Sequence, residues 1–370
     1  MANKITSWLY PLLILIVVFA AHPKYTFSQE SIDISYTSGS ILVHNSKIEP
    51  ISNNPLTGFS IRYSRKNNNG DQWRKYYNCP NYGFNYKFKS FNYPDVLGNA
   101  HALTTFLQIS FLKQQQHFDI GFTGSAGFAY LTKTYDEVSN PENVAISTHF
   151  NITGEAQFYT RLTFHPVYIE YSYGLNHFSN GLINSPNLGI NSLNNQFTLG
   201  WEFERQIEKT KPPKEERTPY IKNEFWLYTS AGTNKLKDYN NRFLFLAASL
   251  NYSKQLNPIN KLGIGIDFIN DESLNQYAII NYRYNGDSDL SFRFGPNIQG
   301  EFLFGNLSFL GAYGFFFGDA TNYVSRAYYK VGAKYYAKNI VALTMIRAVP
   351  LFKAQVLEFG IGYRFPQKKD

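Results

Sequence analysis

The sequence predicts an all-β chain that closes as a transmembrane antiparallel β-barrel of about 12–16 strands, even in number as in bacterial single-chain barrels. Three observations carry this. The composition is rich in aromatic residues and poor in methionine, with 32 Phe and 29 Tyr against 2 Met. Apolar residues alternate with polar ones instead of forming blocks, the period-2 pattern of strands with one face in lipid and one in a lumen. Beyond the first 28 residues, no stretch approaches the roughly 20 consecutive apolar residues of a membrane helix. A soluble secreted β-sandwich or solenoid is the competing reading.

The N-terminus reads as an export signal. Lys4 precedes an apolar run from Leu12 to Ala21, and Thr26 and Ser28 offer a cleavage point before Gln29. The run is too short to span a bilayer and matches a secretory signal. The expected organisation is therefore a signal peptide over 1–28, a barrel over 29–365 and a tail over 366–370. Strand-like segments recur between Asn, Gly, Asp and Pro clusters. They begin at Ile41–His44, include Thr57–Ser64, Val167–Ser179 and Gln276–Tyr284, and end at Ala354–Phe365. No helix of normal length is expected.

The Lys-, Glu- and Pro-rich segment Arg205–Pro219 is the clearest punctuation. It is read as a long turn within a single barrel, because strand patterning resumes at once and an open sheet edge cannot persist in lipid. The final strand, Val356–Phe365, resembles the aromatic-ending last strand of outer-membrane barrels, with Pro366 to Asp370 trailing it.

Other signals exclude more than they assign. The single cysteine, Cys79, cannot form an internal disulfide. The histidines show no metal-ligand spacing and there is no phosphate-binding glycine loop, so no metal or cofactor is expected. The net charge of +8 suits an anionic, phosphate-bearing lipid surface, and no nucleic-acid partner is expected.

The chemistry sits at the end of one strand. In Ile152–Phe164 the even positions Ile152, Ala156, Phe158 and Leu162 are apolar, whereas Glu155, Gln157 and Arg161 are polar. Even therefore faces lipid and odd faces the lumen. In Val167–Ser179 the lipid row is Val167, Ile169, Tyr171, Tyr173 and Leu175, and it continues into His177 and Ser179. Residues two apart on a strand share a face. A histidine beside a serine pairs a general base with a weak nucleophile, the minimum for serine hydrolysis. Polar groups on a lipid-facing row are costly and are often functional, and the apolar surroundings point to a lipid substrate. The turn before this strand is tight and the connection after it longer, which places the pair near the external rim.

His177-Phe178-Ser179-Asn180, the downstream Pro186-Asn187-Leu188-Gly189 and the strand that follows resemble the PagL-type lipid A deacylases, a family of outer-membrane barrel esterases. The resemblance covers about Thr57 to Phe203, giving a PagL-like part over 57–204 and additional strands over 220–365. It implies Ser179 as nucleophile, His177 as its general base, and an oxyanion hole from Asn180 with backbone N–H near Gly181. It implies hydrolysis of an ester-linked acyl chain of lipid A, in the lipopolysaccharide of the outer leaflet. No cofactor is implied. The family's glutamate, fourteen residues past the histidine, is here Asn191. An amide orients an imidazole but brings no charge, and in a serine protease the analogous change costs about 10⁴ in rate.

The expected function is thus an integral outer-membrane esterase. Its rivals are a porin or transporter barrel carrying a degenerate hydrolase motif, and a barrel phospholipase.

Overall fold

The computed structural model describes residues 28–67, 72–113, 117–181, 184–203, 223–236, 241–282, 284–286, 288–350 and 353–365. All of the expected signal peptide but Ser28, together with Arg205–Pro219 and the tail, lies outside the described residues. The chain is nearly all antiparallel β, as expected.

The expectation of a single barrel is corrected. The strands close as two barrels of eight strands each. The first runs β1 (Ser28–Ile41), β2 (Leu56–Asn67), β3 (Asn81–Ser90), β4 (Asn99–Ser110), β5 (Phe118–Leu131), β6 (Phe150–Phe164), β7 (Val167–Ser179) and β8 (Ile190–Phe203). The second runs β9 (Asn223–Lys235), β10 (Arg242–Asn257), β11 (Asn260–Asp271), β12 (Phe292–Phe304), β13 (Leu307–Phe315), β14 (Ala327–Ala337), β15 (Ile340–Val349) and β16 (Lys353–Arg364). Closure comes from β1 pairing with β8 and β16 pairing with β9. Local patterning marks strands but does not choose the partner that closes a sheet.

Two further expectations are corrected. Strand β1 ends at Ile41, whereas the sequence reading began a strand there, and Leu42 to His44 lead into a rim loop. The segment read as a strand over Gln276–Tyr284 belongs mostly to a helix, Ser273–Tyr282 (α2), whose Leu274 and Ala278 are buried together. Those positions are four apart, one face of a helical turn. A shorter helix, Gln72–Tyr76 (α1), follows β2.

The predicted facing holds. In β6, Phe158 and Phe164 are 64% and 65% exposed, while Gln157 and Tyr159 are 4% and 3% exposed. In β7, Ile169, Tyr171, Tyr173 and Leu175 face outward and Glu170, Ser172 and Asn176 inward. An eight-stranded barrel leaves an interior just wide enough for side chains, and both lumens are filled by charge pairs. In the first, Arg62 donates to Asp33 at 2.8 Å and to Glu170 at 3.1 Å, and Arg161 donates to Glu170 at 2.6 Å. In the second, Lys330 pairs with Asp267, Arg347 with Glu358 and Lys334 with Glu301. Each pairing neutralises a charge that isolation would make very costly.

One rim of the first barrel is capped by its own apolar core. Ile48 and Ile51 from the β1–β2 loop, Phe91, Leu97, Ala145, Ile146, Phe178 and Ile190 pack there. At the opposite rim the β4–β5 and β6–β7 connections are short, with His165 and Pro166 alone between β6 and β7, while β2–β3 carries α1.

Glu170→Ala leaves Arg161 without a carboxylate in the lumen and takes from Arg62 one of its two, and should lower the unfolding free energy by about 3–5 kcal/mol. Urea unfolding of protein refolded in lipid vesicles, followed by gel mobility, measures this; an unchanged midpoint would mean that lumen water replaces the carboxylate. With both lumens filled, the purified protein in a planar bilayer should show no discrete conductance steps. Stable steps of ohmic current would contradict this.

Candidate active site

Strand β7 positions the motif through its buried side. Tyr168 donates to Asp33 at 2.6 Å, and Asn176 accepts from Lys89 at 2.7 Å. Phe178 packs into the rim core against Phe91, with ring centroids 6.0 Å apart. Because neighbouring strand residues point to opposite faces, burying Phe178 fixes His177 and Ser179 on the outer wall. His177 is exposed and Ser179 half-buried.

Register then sets the neighbours. Gly154 and Ile152 of β6 stand opposite His177 and Ser179, and Asn191 of β8 stands opposite His177 on the other side. Directly paired residues bring their Cβ atoms within about 5 Å, so short side chains touch. His177 Nδ1 lies 2.6 Å from Asn191 Oδ1. An amide oxygen only accepts, so this contact holds His177 with its proton on Nδ1 and a lone pair on Nε2. That is the tautomer a general base for serine needs.

Ser179 Oγ accepts from Gly181 N–H at 3.4 Å. Among the described residues no hydrogen bond joins Ser179 to His177, whose backbones stand two strand residues apart, about 6.6 Å. Such catalytic contacts commonly close only when substrate is bound. Gly181 sits at φ +64°. A Cβ built on it would lie 3.6 Å from Leu357 Cδ2 of β16, so a side chain of the second barrel lies close to Gly181.

The downstream element has a structural meaning. Asn180 is buried; its N–H donates to Asn187 Oδ1, and its side-chain amide donates to Ser147 Oγ and to Asn184 O. Asn180 and Asn187 thereby knit the loop together. Gly189 is buried at φ +74°, and a Cβ there would lie 2.8 Å from His177 Cε1. Only glycine fits both the left-handed backbone and the imidazole packed on it. The sequence shows Gly189 as part of a pattern; the structure shows that it leaves room for the ring.

The acids of the first barrel lie elsewhere. Glu155 pairs with Lys87, Glu170 sits in the lumen network, and Glu202 bonds Gln29 and His165. Glu204 lies outside the described residues. His149, which imitates the motif in sequence, is instead tied to Leu131 O at 2.7 Å. The residue that sequence reasoning set aside is His44. Leu42 N–H donates to Asn191 O at 2.8 Å, extending the β1–β8 ladder by a step, and this brings His44 Nδ1 to 3.1 Å from Asn191 Nδ2. The two residues are 147 apart in the chain, and no local signal links them.

A closed barrel with a serine and a histidine on one outward-facing row has the arrangement of a membrane-embedded hydrolase. Comparison makes this specific. Residues 57–202 match the family model described as lipid A 3-O-deacylase (PagL), and residues 223–368 match the acyloxyacyl hydrolase C-terminal domain. The chain belongs to the PagL family of outer-membrane lipid A deacylases. The first match corresponds to β2–β8 and leaves out the closing strand β1. The second corresponds to the whole second barrel.

No curated protein sequence matches the chain. Solved structures similar to it include the translocator domain of the autotransporter NalP from Neisseria meningitidis, at 11% identity and a TM-score of 0.20, covering 98% of this chain and 97% of that one. CdiB from Acinetobacter baumannii is 10% identical with a TM-score of 0.19, and 91% of this chain covers 60% of its length. A mutant Rh. blastica porin is 9% identical with a TM-score of 0.16, covering 92% of this chain and all of that one. Overlaps this low carry no argument.

Gly189→Ala should push the His177 ring off Asn191. A displacement near 1 Å costs about 10²-fold in rate, so ester hydrolysis should fall by that order while heat-modifiable gel mobility stays native. Wild-type turnover in a folded Gly189→Ala protein would show that the ring's seat on Gly189 is dispensable.

Proposed function

We propose that the chain hydrolyses an ester-linked acyl chain of lipid A laterally, from the leaflet against its outer wall, with Ser179 as nucleophile and His177 as general base. The observation that supports this best is the His177–Asn191 contact on the lipid-facing side, which leaves Nε2 unprotonated and free to act as a base. His177 Nε2 takes the Ser179 Oγ proton as Oγ attacks the ester carbonyl. The tetrahedral oxyanion forms beside Gly181 N–H, the donor already at the nucleophile. Asn180 joins it if its amide leaves Ser147 or Asn184. Collapse expels the lipid A hydroxyl, protonated by His177, and leaves an acyl-serine. Water, deprotonated by His177, then releases the fatty acid and restores Ser179.

The wall supports such a substrate. Leu175 is 50% exposed and Ile152 38% exposed beside the pair, and Gly154 leaves space next to His177. Acyl chains held against these residues would position the carbonyl, and positioning of this kind is a large share of catalysis. The family description names the 3-O position, which we take as the bond cleaved. The rim that carries the site has the longest loop within the first barrel, between β5 and β6, and the other rim has its tightest turn, between β6 and β7; long loops belong to external rims, and this supports the outer leaflet. A pore reading finds no support in lumens filled by ion pairs.

Mass spectrometry of lipid A from cells expressing wild type or Ser179→Ala tests the proposal. The expected result is loss of one acyl mass with the wild type and none with Ser179→Ala, both folded by gel mobility. Intact lipid A with both would sink it, and release of fatty acid from phospholipid alone would redirect it to a phospholipase.

A further inference from the structure

The site lacks a carboxylate at Asn191, and an amide has a failing that a carboxylate does not. Its two ends are chemically opposite. With Oδ1 toward His177 the imidazole is Nδ1-protonated and Nε2 is a base. With the amide reversed, Nδ2 donates to His177 Nδ1, the proton moves to Nε2, and the ring cannot accept from Ser179. Something must set the polarity of this amide.

We propose that His44 is the positioning residue that does so; the proposal rests on the reading of His177 as general base. His44 Nε2 lies 2.9 Å from Leu188 O. A carbonyl oxygen only accepts, and His44 Nδ1 also lies 3.2 Å from Leu42 O; a neutral ring has one proton, and the shorter contact to Leu188 O places it on Nε2. Neutral His44 then has a bare Nδ1, which accepts from Asn191 Nδ2 at 3.1 Å. That contact forces Asn191 Oδ1 toward His177, where it sits at 2.6 Å. The chain of donors runs from His177 Nδ1–H to Asn191, from Asn191 Nδ2–H to His44, and from His44 Nε2–H to Leu188 O. Reversing the amide would set an oxygen against the bare nitrogen of His44 and break the chain. Each link polarises the next, so His44 acts on the base without touching substrate.

A carboxylate at 191 has two equivalent oxygens and no wrong orientation. The test is therefore a four-protein cycle of wild type, His44→Phe, Asn191→Asp and the double variant, assayed for kcat and KM on lipid A in mixed micelles. In the Asn191 background His44→Phe should lower kcat about tenfold or more with KM unchanged, since a wrong tautomer disables the base. In the Asn191→Asp background the same change should cost about threefold or less, because coupling is confined to residues sharing a network. Equal losses in both backgrounds would assign His44 a merely structural role and overturn the proposal. A second readout needs no turnover: ¹⁵N NMR of histidine-labelled protein should show His177 protonated on Nδ1 in the wild type and shifted toward Nε2 in His44→Phe. An unchanged tautomer also overturns it. A wild type without hydrolysis, but with this tautomer shift, would fault the deacylase reading and leave the role of His44 standing.

Discussion

Everything here follows from one constraint: inside a bilayer no water is available to satisfy a backbone N–H or C=O, so every strand edge must find a partner. In the first barrel β1 meets β8 along the whole run from Glu30↔Phe203 to Ile41↔Ser192. In the second, β16 meets β9 from Glu358↔Gly232 to Arg364↔Trp226. Closing at eight strands has a cost in space. The lumen is only as wide as the side chains that fill it, so inward residues must satisfy one another, as Arg62, Asp33, Glu170 and Arg161 do. A lumen sealed in this way admits no lipid. The one surface left for chemistry on a lipid is the outer wall, and His177 and Ser179 stand there.

The same closure makes the wall rigid enough for a site. Register places Asn191 against His177, while the rim core pins Phe178 between His177 and Ser179. Loop 184–189 would otherwise be loose. It is tied to loop 143–147 by Leu188 N–H to Val144 O, Gly189 N–H to Ala145 O and the Asn184 amide to Ser147 O. Ladder and loop ties thus converge on the imidazole, and a positioned first contact with a supported surround is what such a site requires.

What was legible in the sequence is what depends on neighbours along the chain. Alternation gave the facing of β6 and β7 correctly, because one residue's shift would turn the whole apolar row inward. The motif gave His177, Ser179 and Asn191 as a group, because β7 and β8 are joined by one loop. What was missed depends on distant partners. Strand β1 does alternate, with Ile32, Ile34 and Tyr36 outward against Ser31, Asp33 and Ser35. Its small polar inward residues and its position close after the apolar run Leu12 to Ala21 hid it. Whether sixteen strands close once or twice is a choice of long-range pairing that no local pattern encodes. Helix α2 misled because its apolar residues Leu274, Ala278, Ile279 and Ile280 show no clean period of either kind. His44 was set aside because its role exists only once β1 lies beside β8.

The amide at 191 is best understood through the cost of charge at a lipid boundary. A carboxylate on an outward row faces a medium that solvates it poorly, and its benefit to the imidazolium must first offset that penalty. Asn191 avoids the penalty, since a neutral amide with both ends bonded loses little on leaving water. It gives up the electrostatic stabilisation of the protonated base and, taken alone, it gives up a defined orientation as well. The first loss is inherent in a neutral group. The second is recoverable, because orientation needs only one more partner with a fixed proton. In the proposed network His44 is that partner, its proton held by Leu188 O, the nearer of the two carbonyls at its ring. A site built in this way trades rate for a wall that carries no net charge toward lipid. It still holds its base in the one tautomer that can work.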